Sequence, residues 1–436
     1  MTSGNAVTAR QAGRQHQHPA GAIGALVIGS GLHGLGVIRS LGRHGIPVWV
    51  LRDEQVPATA SRYARRSLPW PALDEAHQCA YLLDLAERYD LAGWVLFPTS
   101  DEAAAMIGRH HAALSECFRL TTPSWEVIRW AYDKRNTYRL AADLGLDHPW
   151  TRIPANREEV AALDCDFPVI LKPAIHQPHN HFAGAKAWRI ENHEELLARY
   201  DEACAVVAPE VIMVQELIPA GAEQQFAFAA LCVDGRPLAS AVAGRGRQYP
   251  VDFGEASSYI QTVDQPEIEA AARRFLAALN YTGLVQIQFK RDPRDGRYKL
   301  LDVNARVWGS HTLCQRAGVD FPYLCWQLLQ GRAVPEVRAR TGVRWVRMKT
   351  DLRAAAAEMR RGRLTLGAYL RSLRGPLEFA VVAVDDPLPA VVELPQLLYR
   401  QVKRRVGRWA ARSVRGMQER AGHTARPITG VDVRRA

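Results

Sequence analysis

The segment ALVIGSGLHGLGVIRSLGRHGIPVWVLRDE, residues 25 to 54, restricts the fold of the first part of the chain more than any other stretch. An apolar run enters a glycine-rich turn, continues as a helical repeat and returns as a second apolar run ending near Asp53, the outline of a βαβ unit. LAGWVLFPTSDE, residues 91 to 102, adds a later strand followed by a loop and a helix, so residues 22–122 are expected to form one α/β domain. Residues 1–21 are polar, lack the apolar core of a signal peptide and read as a disordered tail.

Residues 123–332 change character. FPVILKPA, VIMVQELI, QFAFAALCV and GLVQIQFK are strand-like and alternate with helical stretches such as EIEAAARRFLAALN, an α+β arrangement rather than a second βαβ repeat. VQIQFKRDPRDGRYKLLDVNAR reads as two strands around an Asp295-Gly296 turn. Its second strand puts Asp302, Asn304 and Arg306 two residues apart, with Leu301, Val303, Ala305 and Val307 on the other face. Alternation of this kind is expected of any half-buried strand. If Gln288 pairs opposite Asp302, however, Gln288, Asp302 and Asn304 bring three oxygen donors within reach of one hard cation. Mg²⁺ keeps several waters and takes few protein carboxylates, so so sparse a set suits a metal carried on nucleotide phosphates. Arg306, on the same side, is suited to clamp a phosphate oxygen. Residues 333–398 form a smaller region with helical patches and one strand, and 399–436 a basic tail.

The formal charge of +11 raises the question of nucleic acid. Residues 399–436 hold eleven Arg or Lys against two acids, so the tail carries most of the excess, and no basic stripe is interleaved with stacking aromatics. Nucleic acid is therefore not expected as a partner. Seven scattered cysteines without a CxxC pair argue against a zinc ribbon or a secreted disulfide framework, and a cytoplasmic location is expected. No run approaches the roughly 20 apolar residues that cross a bilayer. The chain has seven lysines beside forty-nine arginines, so lysine at 134, 172 and 186 is notable: a compact ammonium sits between phosphate oxygens as a planar fork does not.

Taken together, these segments resemble the ATP-grasp superfamily, specifically its carboxylate-amine ligases such as D-aspartate ligase and the ATP-binding domains of carbamoyl-phosphate synthetase. LLDVNAR is similar to the family's acid-x-Asn-(Pro)-Arg strand, FPVILKPA to the strand whose lysine touches phosphates, and VQELIPAGAEQQF to the segment joining the two subdomains. AYDKRNTYRLAADLGLDHP is similar to the helix that leads into the domain. The resemblance implies a Rossmann-like, pre-ATP-grasp N-terminal domain, an ATP-grasp fold and a small C-terminal region. It implies ATP and Mg²⁺ as cofactors, with Mn²⁺ as a substitute, and small-molecule carboxylate and amine substrates. By the same resemblance Lys134, Lys172 and Lys186 contact phosphates; Glu216, Leu217 and Ile218 border the adenine; Glu223 reaches the ribose; and Gln288, Asp302 and Asn304 hold metal. Arg306 and Arg247 act in catalysis, Arg247 being favoured over Arg245 in AGRGRQYP as the contact to the acceptor carboxylate. Three departures stand out: Asp302 for the usual glutamate, Ala305 for proline, and a phosphate-covering loop, AIHQPHNHFAGAK, with only Gly184 and three histidines.

Other readings compete. His176, His179 and His181 are closely spaced, but no Cys or acid neighbours them, and a metal cluster is not favoured. Gly29, Gly31 and Gly34 satisfy GxGxxG with Asp53 about 20 residues on, which would suit an NAD-dependent oxidoreductase. A non-catalytic ATP-binding module is a further alternative, prompted by Asp302 and the glycine-poor loop. Thr99, Ser100 and Asp101 either line the acceptor pocket or simply cap a helix. Leu398, Val402, Val406 and Trp409 fall at helical spacing against a basic face, which suits packing on the protein's own surface ahead of peripheral contact with acidic lipid. A homo-oligomer is left open.

Overall fold

The computed structural model describes residues 23–53, 57–175, 187–251 and 256–393. Ala25–Ile28, apolar throughout, is buried at the centre of a five-stranded sheet, as expected of a strand covered on both faces. The order is Ala64–Pro69, Val48–Arg52, Ala25–Ile28, Val95–Pro98, Arg119–Leu120, and every pairing is parallel. The helix Leu32–Arg43 makes the first crossover and buries Leu35, Ile38 and Leu41. Close packing and backbone conformation account for two of the turn's glycines. A Cβ on Gly34 would lie 2.2 Å from the Gly29 carbonyl oxygen, and Gly29, at φ +108°, lies against the Thr99 hydroxyl.

The next residues build two further sheets. A four-stranded antiparallel sheet runs in the order Thr151–Arg152, Ile212–Glu216, Val169–Pro173, Trp188–Ile190. An eight-stranded sheet is built on Tyr298–Asn304, Gly283–Arg291, Gln225–Val233, Arg236–Tyr249 and Ala256–Thr262, in that order. Period-two alternation divides its residues between faces. Phe228, Val285, Ile287 and Phe289 pack with Ile268, Phe275 and Leu276 of the helix Pro266–Ala278. Each such side chain contributes about 1.5–3 kcal/mol by leaving water. The opposite face is left to the alternate residues.

The C-terminal residues complete this sheet. Arg344–Val346 pairs antiparallel with Ala256–Thr262, and Leu377–Phe379 adds a parallel strand beyond it. Further on, Asp386 is buried against the N-terminal region: it accepts from Arg39 Nε at 2.9 Å, Ser61 Oγ at 2.7 Å and the Arg62 N–H at 2.9 Å. A charge so enclosed is tolerable because its partners satisfy it. No helix among the described residues is long and apolar enough to cross a membrane.

Candidate active site

The hairpin Gly283–Arg291/Tyr298–Asn304 closes around Asp292, whose buried carboxylate takes Arg294 and Lys299, with Gly296 at φ +76° in the turn. Past a bulge between Gln288 and Phe289, the strands pair Gln288 opposite Asp302 and Gln286 opposite Asn304. The register expected from the sequence is the one observed. Gln286, Gln288, Asp302, Asn304 and Arg306 all line one cavity of about 1140 Å³.

Lys134 reaches that cavity from the other side. Asp133 caps the helix Lys134–Asp143 by accepting from the Arg135 N–H, and the Lys134 N–H donates to Ala174 O at 3.1 Å. This ties the helix start to the end of the Val169–Pro173 strand, which carries Lys172. Lys134 Nζ lies 2.8 Å from Asp302 Oδ1. Burial alone would lower the Lys134 pKa, but Asp302 outweighs it and raises the ammonium above its ordinary value. Lys172 has the reverse balance: desolvation first, then the charge of Lys134, bring it down to about 7 against the pull of Asp302. Two lysines from the smaller sheet and its neighbouring helix thus meet the carboxylate of the larger sheet.

Arg306 is held by its strand neighbour Asn304 and by Asp101, which the sequence did not connect to it. Its Nε and Nη2 donate to Asp101 Oδ1 and Oδ2 at 2.9 and 3.0 Å, and Nη2 also donates to Asn304 Oδ1 at 3.0 Å. Asp101 opens the helix Asp101–Arg109, which Ser100 caps through the Ala103 N–H. Thr99, Ser100 and Asp101 also line the cavity, so the capping and lining expectations hold together. Beside them is His33, whose pKa is lowered by burial and then by the charges of Arg306, His311 and Arg347.

Several expected residues lie elsewhere. Arg247 is not among the residues that line the cavity. A β-bulge on either side of it turns it to a buried Asp351, which accepts from its Nε at 2.8 Å and Nη2 at 2.9 Å. Arg245 lines the cavity instead; burial lowers its pKa to about 10, and its Nη1 donates to Gln248 Oε1 at 2.9 Å. The Glu216 carboxylate is taken by Lys299 at 2.7 Å, the Trp150 N–H at 2.9 Å and Arg294, which together outweigh burial and lower its pKa. Leu217 and Ile218 line the cavity beside it. Glu223 accepts the Gly221 N–H at 3.0 Å and is not part of the cavity wall. Lys290, which the sequence reading passed over, donates to Ile218 O at 2.8 Å and Ala220 O at 2.9 Å and so fixes the backbone between the subdomains. Lys186, the three loop histidines and the basic tail lie outside the described residues.

The donor set fits a metal that arrives on phosphates. Asp302 and Asn304 present oxygens that already accept from cations, Lys134 and Arg306, so the positions favour positive charge. Among the described residues no group of three His, Cys, Asp or Glu could hold a metal without such help.

Residues 230–350 match the family described as ATP-grasp in the biosynthetic pathway with Ter operon. The chain is 28% identical over 228 residues to D-aspartate ligase of Enterococcus faecium, an alignment covering 49% of this chain and 53% of that protein. It is 25% identical over 220 residues to the carbamoyl phosphate synthase large chain, C-terminal section, of Methanopyrus kandleri, covering 48% and 39% of the two. The match thus spans about half or less of these relatives. Among solved structures, L-amino acid ligase from Bacillus licheniformis superposes with a TM-score of 0.54 at 18% identity, covering 71% of this chain and 74% of that one. The family match, the shared sequence and the two-sheet cleft agree: the chain carries an ATP-grasp domain homologous to those of D-aspartate ligase and carbamoyl phosphate synthase.

Proposed function

We propose that the chain is an ATP-dependent ligase that joins a carboxylate to an amine through an acyl phosphate and releases ADP and phosphate. The observation that carries this reading is the meeting of Lys134 and Lys172 with Asp302 across one cavity. The names of the homologous ligases support it. Mg·ATP, with Mn²⁺ as a substitute metal, would supply the transferable phosphoryl group and neutralise its charge.

Lys134 and Lys172 bind phosphate oxygens, with Lys186 as a third contact. With Lys134 engaged on phosphate, Asp302 together with Asn304 and Gln288 would hold the metal. Arg306, oriented by Asp101, binds an oxygen of the phosphoryl group as it transfers. Leu217 and Ile218 border the adenine, and Lys290 fixes their backbone. Arg245 takes the role expected of Arg247 and holds the acceptor carboxylate. A carboxylate oxygen attacks the γ-phosphorus in line as the bond to ADP breaks. The amine lone pair then attacks the acyl carbon, the nitrogen loses a proton, and the carbon–oxygen bond to phosphate breaks. No side-chain nucleophile is needed.

The test is release of ADP and phosphate from Mg·ATP by the purified chain with a panel of carboxylates and amines. Release dependent on both substrates is the expected result. Tight Mg·ATP binding with no turnover across the panel would instead make the chain a non-catalytic binding module. The oxidoreductase reading has less support, because Asp53 accepts from Ser30 Oγ at 2.6 Å and the glycines are already needed for packing.

A further inference from the structure

The cavity is larger than one ligand needs. Small-molecule pockets run to about 300–1,000 Å³, and this one, at about 1140 Å³, extends well past the nucleotide-binding groups to the N-terminal region. The register of the eight-stranded sheet shows what that second compartment is made of. The row Asn304–Gln286 continues across the next two strands as Ala229–Ala241. The polar row thus gives way to a floor of small apolar groups. Beyond it Arg245 lies opposite Ile260, and Ile260 opposite Trp345.

Trp308 and Leu313 complete the wall around this floor. Both indoles of the wall are held in place: Trp308 packs edge-on against Phe321 at 5.1 Å, and the indole N–H of Trp345 donates to Thr312 Oγ1 at 3.0 Å. Arg245 and Arg347 also line the cavity. Among the described residues Arg245 has no acid partner, and Arg347 has a buried Nε without a hydrogen-bond acceptor.

We infer that the acceptor acid has an aromatic or branched aliphatic body, seated over Ala229 and Ala241 against Ile260, Trp308, Leu313 and Trp345, with its carboxylate drawn by Arg245 toward the phosphoryl group. This inference rests on the ligase reading and narrows its substrate. A second carboxylate set against this wall would find no side-chain hydrogen-bond donor on Ala229, Ala241, Ile260 or Leu313 to satisfy it.

The experiment traps the acyl phosphate. The full chain with Mg·ATP and hydroxylamine is supplied with phenylalanine, leucine or 3-phenylpropionate, with acetate or glycine, with aspartate or glutamate, and with bicarbonate; hydroxamate and ADP are measured, ADP alone for bicarbonate. Apolar-bodied acids should exceed the others at least tenfold in kcat/KM. Ala241→Leu, which fills the floor, should reduce the ratio of phenylalanine to acetate turnover by about tenfold or more. Melting temperature and binding of a non-hydrolysable ATP analogue report whether that variant is folded; the wild-type panel decides the question even if it is not. Equal or greater turnover of aspartate, glutamate, acetate or bicarbonate overturns the inference and leaves the ligase reading standing. Failure of every acid to release ADP overturns both.

Discussion

Lys172 offers the most direct test of how the phosphate site works. Desolvation and the neighbouring Lys134 bring its pKa from 10.5 to about 7 in the free protein. A triphosphate beside the same ammonium favours the charged form and raises the pKa again, so binding above pH 7 draws in a proton. With a free-state pKa of about 7, the protonated fraction falls from about one quarter at pH 7.5 to about one hundredth at pH 9. The dissociation constant for a non-hydrolysable Mg·ATP analogue should therefore rise about 25-fold across that window. Titration calorimetry at pH 8 in two buffers of different ionisation enthalpy should show uptake of about 0.9 proton per site. Lys134, raised by Asp302, and Tyr138, pushed up to about 12, stay protonated there and do not share the signal. Lys172→Arg should abolish the pH dependence, because a guanidinium does not titrate in this range. A dissociation constant flat from pH 7.5 to 9, with heats independent of buffer, would refute the reasoning. The same shift acts on folding: the unfolded chain binds more protons between pH 7 and 10.5, so Lys172 adds to stability as pH rises through that window.

Asp302→Asn removes the carboxylate shared by Lys134 and the proposed metal, and should lower ADP release at least 100-fold while circular dichroism stays native. Asp351→Ala leaves Arg247 buried and unpaired; denaturant unfolding should show a loss of about 3–5 kcal/mol. Lys290→Ala frees the Ile218 and Ala220 carbonyls, and nucleotide binding measured by calorimetry should weaken at least about tenfold, in line with loss of about 1.5–3 kcal/mol from a charged hydrogen bond. NADH fluorescence should not change on adding the protein, since Asp53 is bonded to Ser30.

The hairpin was legible because its turn and its two alternating strands are local. Asp295-Gly296 fixes the turn and pairs Phe289 with Leu300; a bulge between Gln288 and Phe289 then shifts the register by one residue and puts Gln288 opposite Asp302, a shift that alternation alone does not give. The parallel sheet was legible for a similar reason, its strands being short apolar runs around a glycine turn. Glu216 was not, since its partners Arg294 and Lys299 lie 78 and 83 residues away. Lys290 carries a signal in the composition. In a chain so rich in arginine, the scarcity that singles out Lys134 and Lys172 applies equally to Lys290, whose compact ammonium fits between two carbonyls.

The two arginines of AGRGRQYP show where sequence reasoning on a strand stops. Residues two apart share a face only while the ladder is regular, and by that rule Arg245 and Arg247 are interchangeable candidates. The register shifts between Arg245 and Arg247 and again between Arg247 and Gln248. Arg245 therefore stays with Ala241 on the cavity side, while Arg247 turns to Asp351, 104 residues later in the chain. The register shifts leave one guanidinium facing the cavity and give the other to the fold. An arginine already bound bidentately to a buried carboxylate has little left to offer a substrate, and removing it leaves a buried charge behind. Arg245→Ala should accordingly raise the KM for the acceptor acid with little change in melting temperature, whereas Arg247→Ala should lower the melting temperature. If the two effects came out reversed, the assignment of the cavity side of this strand would be wrong.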